Sequence, residues 1–197
     1  MDLWNSIFNI KKLNRQKPAK GKVLIAEPFM LDPNFKRSVV YLCDHDENGT
    51  FGLILNKPLD IDPASAFKKF PKINTKIFYG GPVANDSLFY IHTMGDIVPE
   101  SQKINENLWL GGDFDVISKL LEKGSMKLSE IKFFIGYSGW GSGQLDFEMS
   151  ENAWIVADAT LDDILSQNAD DLWNNMLSRM GDDYKKLTLV PRNPILN

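Results

Sequence analysis

The chain is expected to fold as a single α+β domain, and three observations predict it. Seven short β-rich runs lie between Val23 and Ala157, helical periodicity is confined to a few irregularly placed segments, and no regular strand–helix alternation joins them. With 197 residues, 43% of them hydrophobic and 24% charged, there is enough apolar mass for one substantial core.

At the start of the chain Leu3, Trp4, Ile7 and Phe8 fall at helical spacing, and Lys11, Lys12, Arg15, Lys17, Lys20 and Lys22 follow. Residues 1–20 therefore read as a basic amphipathic arm and residues 21–197 as the domain. The arm either packs on its own domain, drawn toward the acidic C-terminal segment, or docks on a membrane surface or a partner through residues 3–22. Strands are predicted at Val23 to Ala26, Ser38 to Cys43, Phe51 to Asn56, Lys76 to Tyr79, Leu88 to Thr93, Lys132 to Tyr137 and Trp154 to Ala157. Turn chemistry separates them at Asp32-Pro33-Asn34, Glu47-Asn48-Gly49 and Gly80-Gly81-Pro82, with Asn48-Gly49 predicting a hairpin. A helix is predicted over Phe114, Ile117, Leu120 and Leu121, with Asp113 as N-cap and Gly124 at the C-terminal cap. A second begins near Thr160, and a third carries Leu172, Trp173, Met176, Leu177 and Met180 before Gly181. These stripes read as core contacts.

The segment Phe133 to Leu145 holds Gly136, Gly139, Gly141 and Gly143 around Tyr137 and Trp140. Glycine is the default where backbone needs positive φ or a close approach, so a tightly constrained loop is expected there.

Charge and cysteine usage narrow the function classes. The net charge is −4, but residues 1–22 carry +5 and the rest −9, with seven aspartates and one arginine between Asp158 and Asp183. An acidic body counts against extended nucleic-acid contact, where phosphate neutralisation dominates affinity. The single cysteine, Cys43, lies in an apolar run, which excludes an intrachain disulfide and predicts a buried thiol in a reducing compartment. No apolar run approaches the ~20 residues of a membrane-spanning helix, so a cytoplasmic protein is expected.

Ready-made chemistry fails on spacing. Asp44-His45-Asp46-Glu47-Asn48-Gly49 matches half a calcium loop, but Leu55 stands where a bidentate Glu is required, so a solvated turn is expected. The two histidines, His45 and His92, match no zinc motif, and His92 reads as a hydrogen-bonded structural residue. Gly136-Tyr137-Ser138-Gly139 is not a nucleophile elbow, and the glycines lack phosphate-loop and dinucleotide spacing. No cofactor and no metal is implied.

Several segments, in order across about residues 21 to 181, resemble the YqgE/AlgH family of bacterial proteins. They are Gly21 to Pro28, Asp32 to Cys43, Gly52 to Pro58, Gly80 to Val83, Leu88 to His92 and Gly136 to Leu145. Ser138 and Ser142 stand where Ala and Pro are common in the family, and the arm before Gly21 is longer than expected for it. The resemblance implies a bent mixed or antiparallel sheet partly closed into a barrel and flanked by a few helices. It also implies a transcriptional-regulator label that rests on genetics, with no established activity and no catalytic residues to carry over.

The leading reading is a non-catalytic regulatory or binding module for a protein partner or small ligand. Its candidate surface is formed by Asp32, Arg37, Asn56, Gly81, Tyr137, Trp140 and Gln144, polar and aromatic groups beside glycine turns. The bland roles for the same residues are an ion pair for Arg37, a turn cap for Asn56 and a core plug for Trp140. Two other classes stay open: a hydrolase or transferase using His92, Ser138 or Cys43, and a direct DNA regulator, against which the acidic charge and the lack of a helix-turn-helix count.

Overall fold

The computed structural model describes residue 14 and residues 16–191. Ten strands form one continuous sheet: β1 (Val23–Ala26), β2 (Val39–Asp46), β3 (Gly49–Ile54), β4 (Pro58–Leu59), β5 (Ile77–Tyr79), β6 (Val83–His92), β7 (Gln102–Lys103), β8 (Trp109–Leu110), β9 (Ile131–Gly141) and β10 (Trp154–Ala157). The helices are α1 (Pro63–Ala66), α2 (Phe114–Glu122), α3 (Gln144–Ser150), α4 (Leu161–Leu165), α5 (Leu172–Arg179) and α6 (Asp182–Lys185). The α+β class and the predicted strands are thus present, while the two-residue strands and α1, α3 and α6 carry too few periodic residues to be read in advance.

The strand order is β10-β1-β2-β3-β9-β6-β8-β7, with the β4–β5 pair attached to β9. All pairings are antiparallel except β5 with β9. Strand β9 is shared by two halves: its C-terminal part pairs with β3, and its N-terminal part lies between β5 and β6. Among the described residues no pairing joins the β10 end to the β7 end, so the expected partial barrel closure is corrected to an open sheet. A local reason is visible at β10. Asn14 donates from Nδ2 to Trp154 O at 2.8 Å and accepts Val156 N–H at Oδ1 at 3.1 Å, taking two groups a further strand would need. Asn14 reaches Trp154 and Gln16 reaches Asp158, so this described part of the arm packs on the domain; Leu3, Trp4, Ile7 and Phe8 lie outside the described residues.

Both faces of the β1–β2 region are buried, which explains apolar runs without alternation. Val23, Ile25, Val39, Tyr41 and Cys43 pack on one side with α4 and α5, and Leu24, Ala26, Val40 and Leu42 on the other with Trp140 and Trp154. A third cluster sets Ile117 and Leu121 of α2 against Ile77, Tyr90, Ile131 and Phe133. Asp113 caps α2 as predicted, accepting Asp115 N–H at 2.9 Å and Val116 N–H at 3.3 Å. Thr160 caps α4 in a reciprocal box with Asp163. The hairpin between β2 and β3 turns on Glu47 and Asn48, one residue earlier than predicted, because Asp46 Oδ1 accepts both the Asn48 and Gly49 amides.

The glycine-rich segment is strand rather than loop. Strand β9 runs unbroken through Gly136, Gly139 and Gly141, and Gly143, at φ 72°, starts α3. The glycines serve close packing of chains: a Cβ at Gly136 would stand 2.4 Å from Gly81 O, and one at Gly81 2.3 Å from the Tyr137 carbonyl.

Candidate functional site

The predicted candidate residues separate into two places. The first is built on the turn between β1 and β2. Asp32 opens it: its carboxylate accepts Asn34 N–H at 2.8 Å, and its carbonyl accepts Phe35 and Lys36 N–H at 3.0 and 2.8 Å. The turn ends at Arg37, whose φ of 52° lies in the left-handed region that L residues with a Cβ rarely occupy. Asn56, following β3, pins this conformation from both sides, donating to Arg37 O at 2.8 Å and accepting Val39 N–H at 2.8 Å. Its role is a brace across the turn rather than a cap before Pro58.

So held, the Arg37 guanidinium lies 4.4 Å above the Trp173 ring of α5 and donates to Val190 O. Trp173 is buried, with its indole N–H on Ala26 O at 2.8 Å. Between this turn and α5 lies a cleft of about 570 Å³ lined in part by Lys36, Arg37, Lys57, Asp170 and Asn174. Lys57 donates to Pro33 O at 2.9 Å and Asn34 O at 2.7 Å. Burial lowers its pKa, and the nearby Asp32 carboxylate opposes that shift. The sequence alone does not single out Lys36, Lys57 or Asn174 as site residues. The lysines lie in the family-like segments Asp32 to Cys43 and Gly52 to Pro58, and Trp173 lies on a helical stripe that reads as core.

The second place holds Gly81, Tyr137, Trp140 and Gln144, and here the bland roles prevail. Gly81 is forced by the Tyr137 backbone. Tyr137 stacks on Phe51 at 4.7 Å between centroids and meets Phe89 edge-on at 5.5 Å. Trp140 is a core residue, 4% exposed, and its indole donates to Glu148 Oε2 at 2.9 Å. Gln144 is structural too, accepting Gly141 N–H at 3.1 Å and donating to Glu148 Oε1 at 3.0 Å. A shallow groove passes along Asp44, Asp46 and Tyr137, but it does not unite with the Arg37 cleft as a single lined surface.

The catalytic alternatives do not assemble. His92 pairs with Ile131 at one end of β9, and Ser138 lies seven residues along the same strand, roughly 20 Å away at ~3.3 Å per residue. Ser138 is buried and donates to Gly80 O at 3.0 Å. His92 accepts Met94 N–H at Nδ1 at 3.1 Å, which leaves Nε2 to donate to Gly111 O at 2.8 Å. Ser101 Oγ is 3.2 Å from that Nε2, yet its hydroxyl has Val98 O at 2.9 Å as acceptor, and the imidazole lone pair faces away from it. Burial also lowers the His92 pKa. Cys43 is fully enclosed, and burial drives its thiol pKa far up, away from thiolate chemistry.

One buried charge was missed. Lys132, at the start of a predicted strand, is fully buried, donates to Ser166 O at 2.6 Å and stands 3.9 Å from the Phe78 ring centroid. Burial first, and Lys76 second, lower its pKa to about 7. The signal was strand alternation, which puts Lys132 on the same face as Phe134.

Among the described residues no helix is long and apolar enough to cross a membrane. Comparison with known proteins matches residues 23–185 to a family described as AlgH-like. A UPF0301 protein of Parabacteroides distasonis is 42% identical over 199 residues, covering all of both chains. One from Cytophaga hutchinsonii is 41% identical over 90% of this chain and 98% of its own. Among solved structures, the solution structure of the AlgH protein from Pseudomonas aeruginosa aligns with a TM-score of 0.71 and 29% identity, over 89% of this chain and 96% of that one. A Corynebacterium diphtheriae protein shares the fold, with a TM-score of 0.77 at 23% identity over 91% and 96% of the two chains.

Proposed function

This chain belongs to the AlgH-like family, and from that membership we propose that it is a non-catalytic binding module of a regulatory kind, with the Arg37 cleft as its recognition site. The observation that carries the reading is Arg37 itself. A residue with a Cβ in the left-handed region costs about 1–3 kcal/mol and persists only where its surroundings over-determine it. Asn56 on the backbone and Trp173 under the guanidinium do so here, and together they hold a cation at the wall of a cleft. The cleft's size falls within the range of small-molecule sites. Regulation is indirect in this reading, through a bound ligand or protein, since the acidic body is unsuited to duplex DNA.

A fragment screen by NMR on the whole protein tests it. Hits are expected to shift Lys36, Arg37 and Asn174 and to disappear in Arg37→Gln. Hits that map to Tyr137 and Gly139 and survive the substitution would transfer the site to the other groove.

A further inference from the structure

We propose that Asn48 is a self-modification site, where the chain's own backbone converts the carboxamide to a carboxylate with loss of ammonia, and that Asp46 promotes the step. The proposal is independent of the Arg37 cleft. Asn48-Gly49 is the only asparagine–glycine pair in the sequence, and Asn48 stands exposed at the tip of the β2–β3 hairpin. Gly49 has no Cβ to shield the amide nitrogen that must attack, and asparagine is among the thermally labile residues.

One carboxylate gathers the reacting groups. Asp46 Oδ1 accepts the Gly49 amide at 3.1 Å, and Asp46 Oδ2 accepts Asn48 Nδ2 at 3.3 Å. The Asn48 N–H, also on Oδ1 at 2.8 Å, fixes the backbone between them. Nucleophile and leaving group are thus held on one side chain, the condition under which an intramolecular reaction outruns its free counterpart. Gly49 N attacks Asn48 Cγ, and as the N–C bond forms its proton passes to Asp46, which lies within the reach of a general base. The Cγ–Nδ2 bond then breaks, Nδ2 takes that proton back from Asp46 and leaves as ammonia, and the Asp46 carboxylate is restored. Water opens the resulting five-membered imide, at Cγ to give aspartate or at the main-chain carbonyl to give the β-linked isomer. Nothing is oxidised or reduced.

The product changes the turn. A carboxylate at position 48 cannot donate to Asp46 and faces it with a like charge, and the isomer adds one carbon to the backbone between residues 48 and 49. Ser142 Oγ donates to Glu47 O at 2.7 Å, so a loosened turn is felt at the entry to α3.

The test is incubation of the folded full chain in mildly alkaline buffer, with peptide mapping by mass spectrometry and isoaspartyl methyltransferase labelling at intervals. Aspartyl and isoaspartyl forms of the Asn48 peptide are expected to accumulate, and to be absent in Asn48→Gln. Asp46→Asn keeps an acceptor for the two backbone amides but cannot take the proton, so it should slow the conversion at least about tenfold. Should that variant not fold, a synthetic peptide spanning residues 40–56 decides, with faster conversion expected in the protein than in the peptide. An Asn48 peptide that stays unmodified in the wild type, or an isoaspartyl signal that persists in Asn48→Gln, overturns the site. A rate unchanged or raised in folded Asp46→Asn, or slower in the protein than in the peptide, overturns the role of Asp46.

Discussion

Trp140 and Trp154 donate their indole N–H groups to the same oxygen, Glu148 Oε2, at 2.9 and 2.7 Å. The two rings meet edge to face, 5.9 Å apart, on the sheet face covered by α3. Glu148→Ala would leave two largely buried indole donors without their acceptor, at about 1–3 kcal/mol for each unsatisfied group. A loss of roughly 2–4 kcal/mol is expected from urea unfolding, with a milder loss in Glu148→Gln, which retains an acceptor. Equal stability of wild type and Glu148→Ala would show that the shared acceptor contributes nothing.

The contact between Gly81 and Tyr137 gives a second expectation. A Cβ at Gly81 would stand 2.3 Å from the Tyr137 carbonyl carbon and oxygen, and neither is the end of a flexible side chain. Gly81→Ala should therefore destabilise by more than about 4 kcal/mol or prevent folding. Gly143, also at positive φ but with no atom within 4 Å of the added carbon, is the control; Gly143→Ala should cost only ~1 kcal/mol. Similar melting temperatures for the two variants would contradict this account of the packing.

At the brace, Asn56→Ala removes one acceptor and one donor that hold the backbone around Arg37. The expected cost is about 2–3 kcal/mol, accompanied by loss of fragment binding at the cleft. If Asn56→Ala lost stability but kept every cleft ligand at wild-type affinity, the conformation of Arg37 would be irrelevant to recognition.

Lys132 makes stability depend on pH in a definite direction. Its folded pKa of about 7 lies below the ordinary 10.5, so between these values the unfolded chain binds more protons, and the Lys132 contribution to stability rises with pH. It is flat below about 7. Lys132→Met should remove an increase of about 1–3 kcal/mol between pH 7 and 9, and should be at least as stable as wild type at pH 6. Parallel stability curves for the two proteins over that interval would refute the assignment.

Much of the fold is legible in the sequence because its signals are local. Asp113 announces α2 through two amides within three residues, and Val23 to Ala26 reads as a strand whatever surrounds it. The site is less legible because its determinants are distant in sequence. Asn56 acts on Arg37 and Val39, and Trp173 supports Arg37 from α5; nothing in either neighbourhood reveals the other. The same distance hid the core role of Trp140, whose acceptor Glu148 sits on a helix with little apolar periodicity. The glycine-rich segment misled for a different reason. Glycine marks both tight turns and close strand approach, and only the opposing backbone at Gly81 and Val83 decides between them.

The Asn14 side chain at the rim of β10 has a consequence for solubility. One amide occupies two of the groups through which a second molecule could extend the sheet, so it acts as a stopper against self-association. Replacing Asn14 by Ala would release the Trp154 carbonyl and the Val156 amide, and the expected first failing is clumping in concentrated solution.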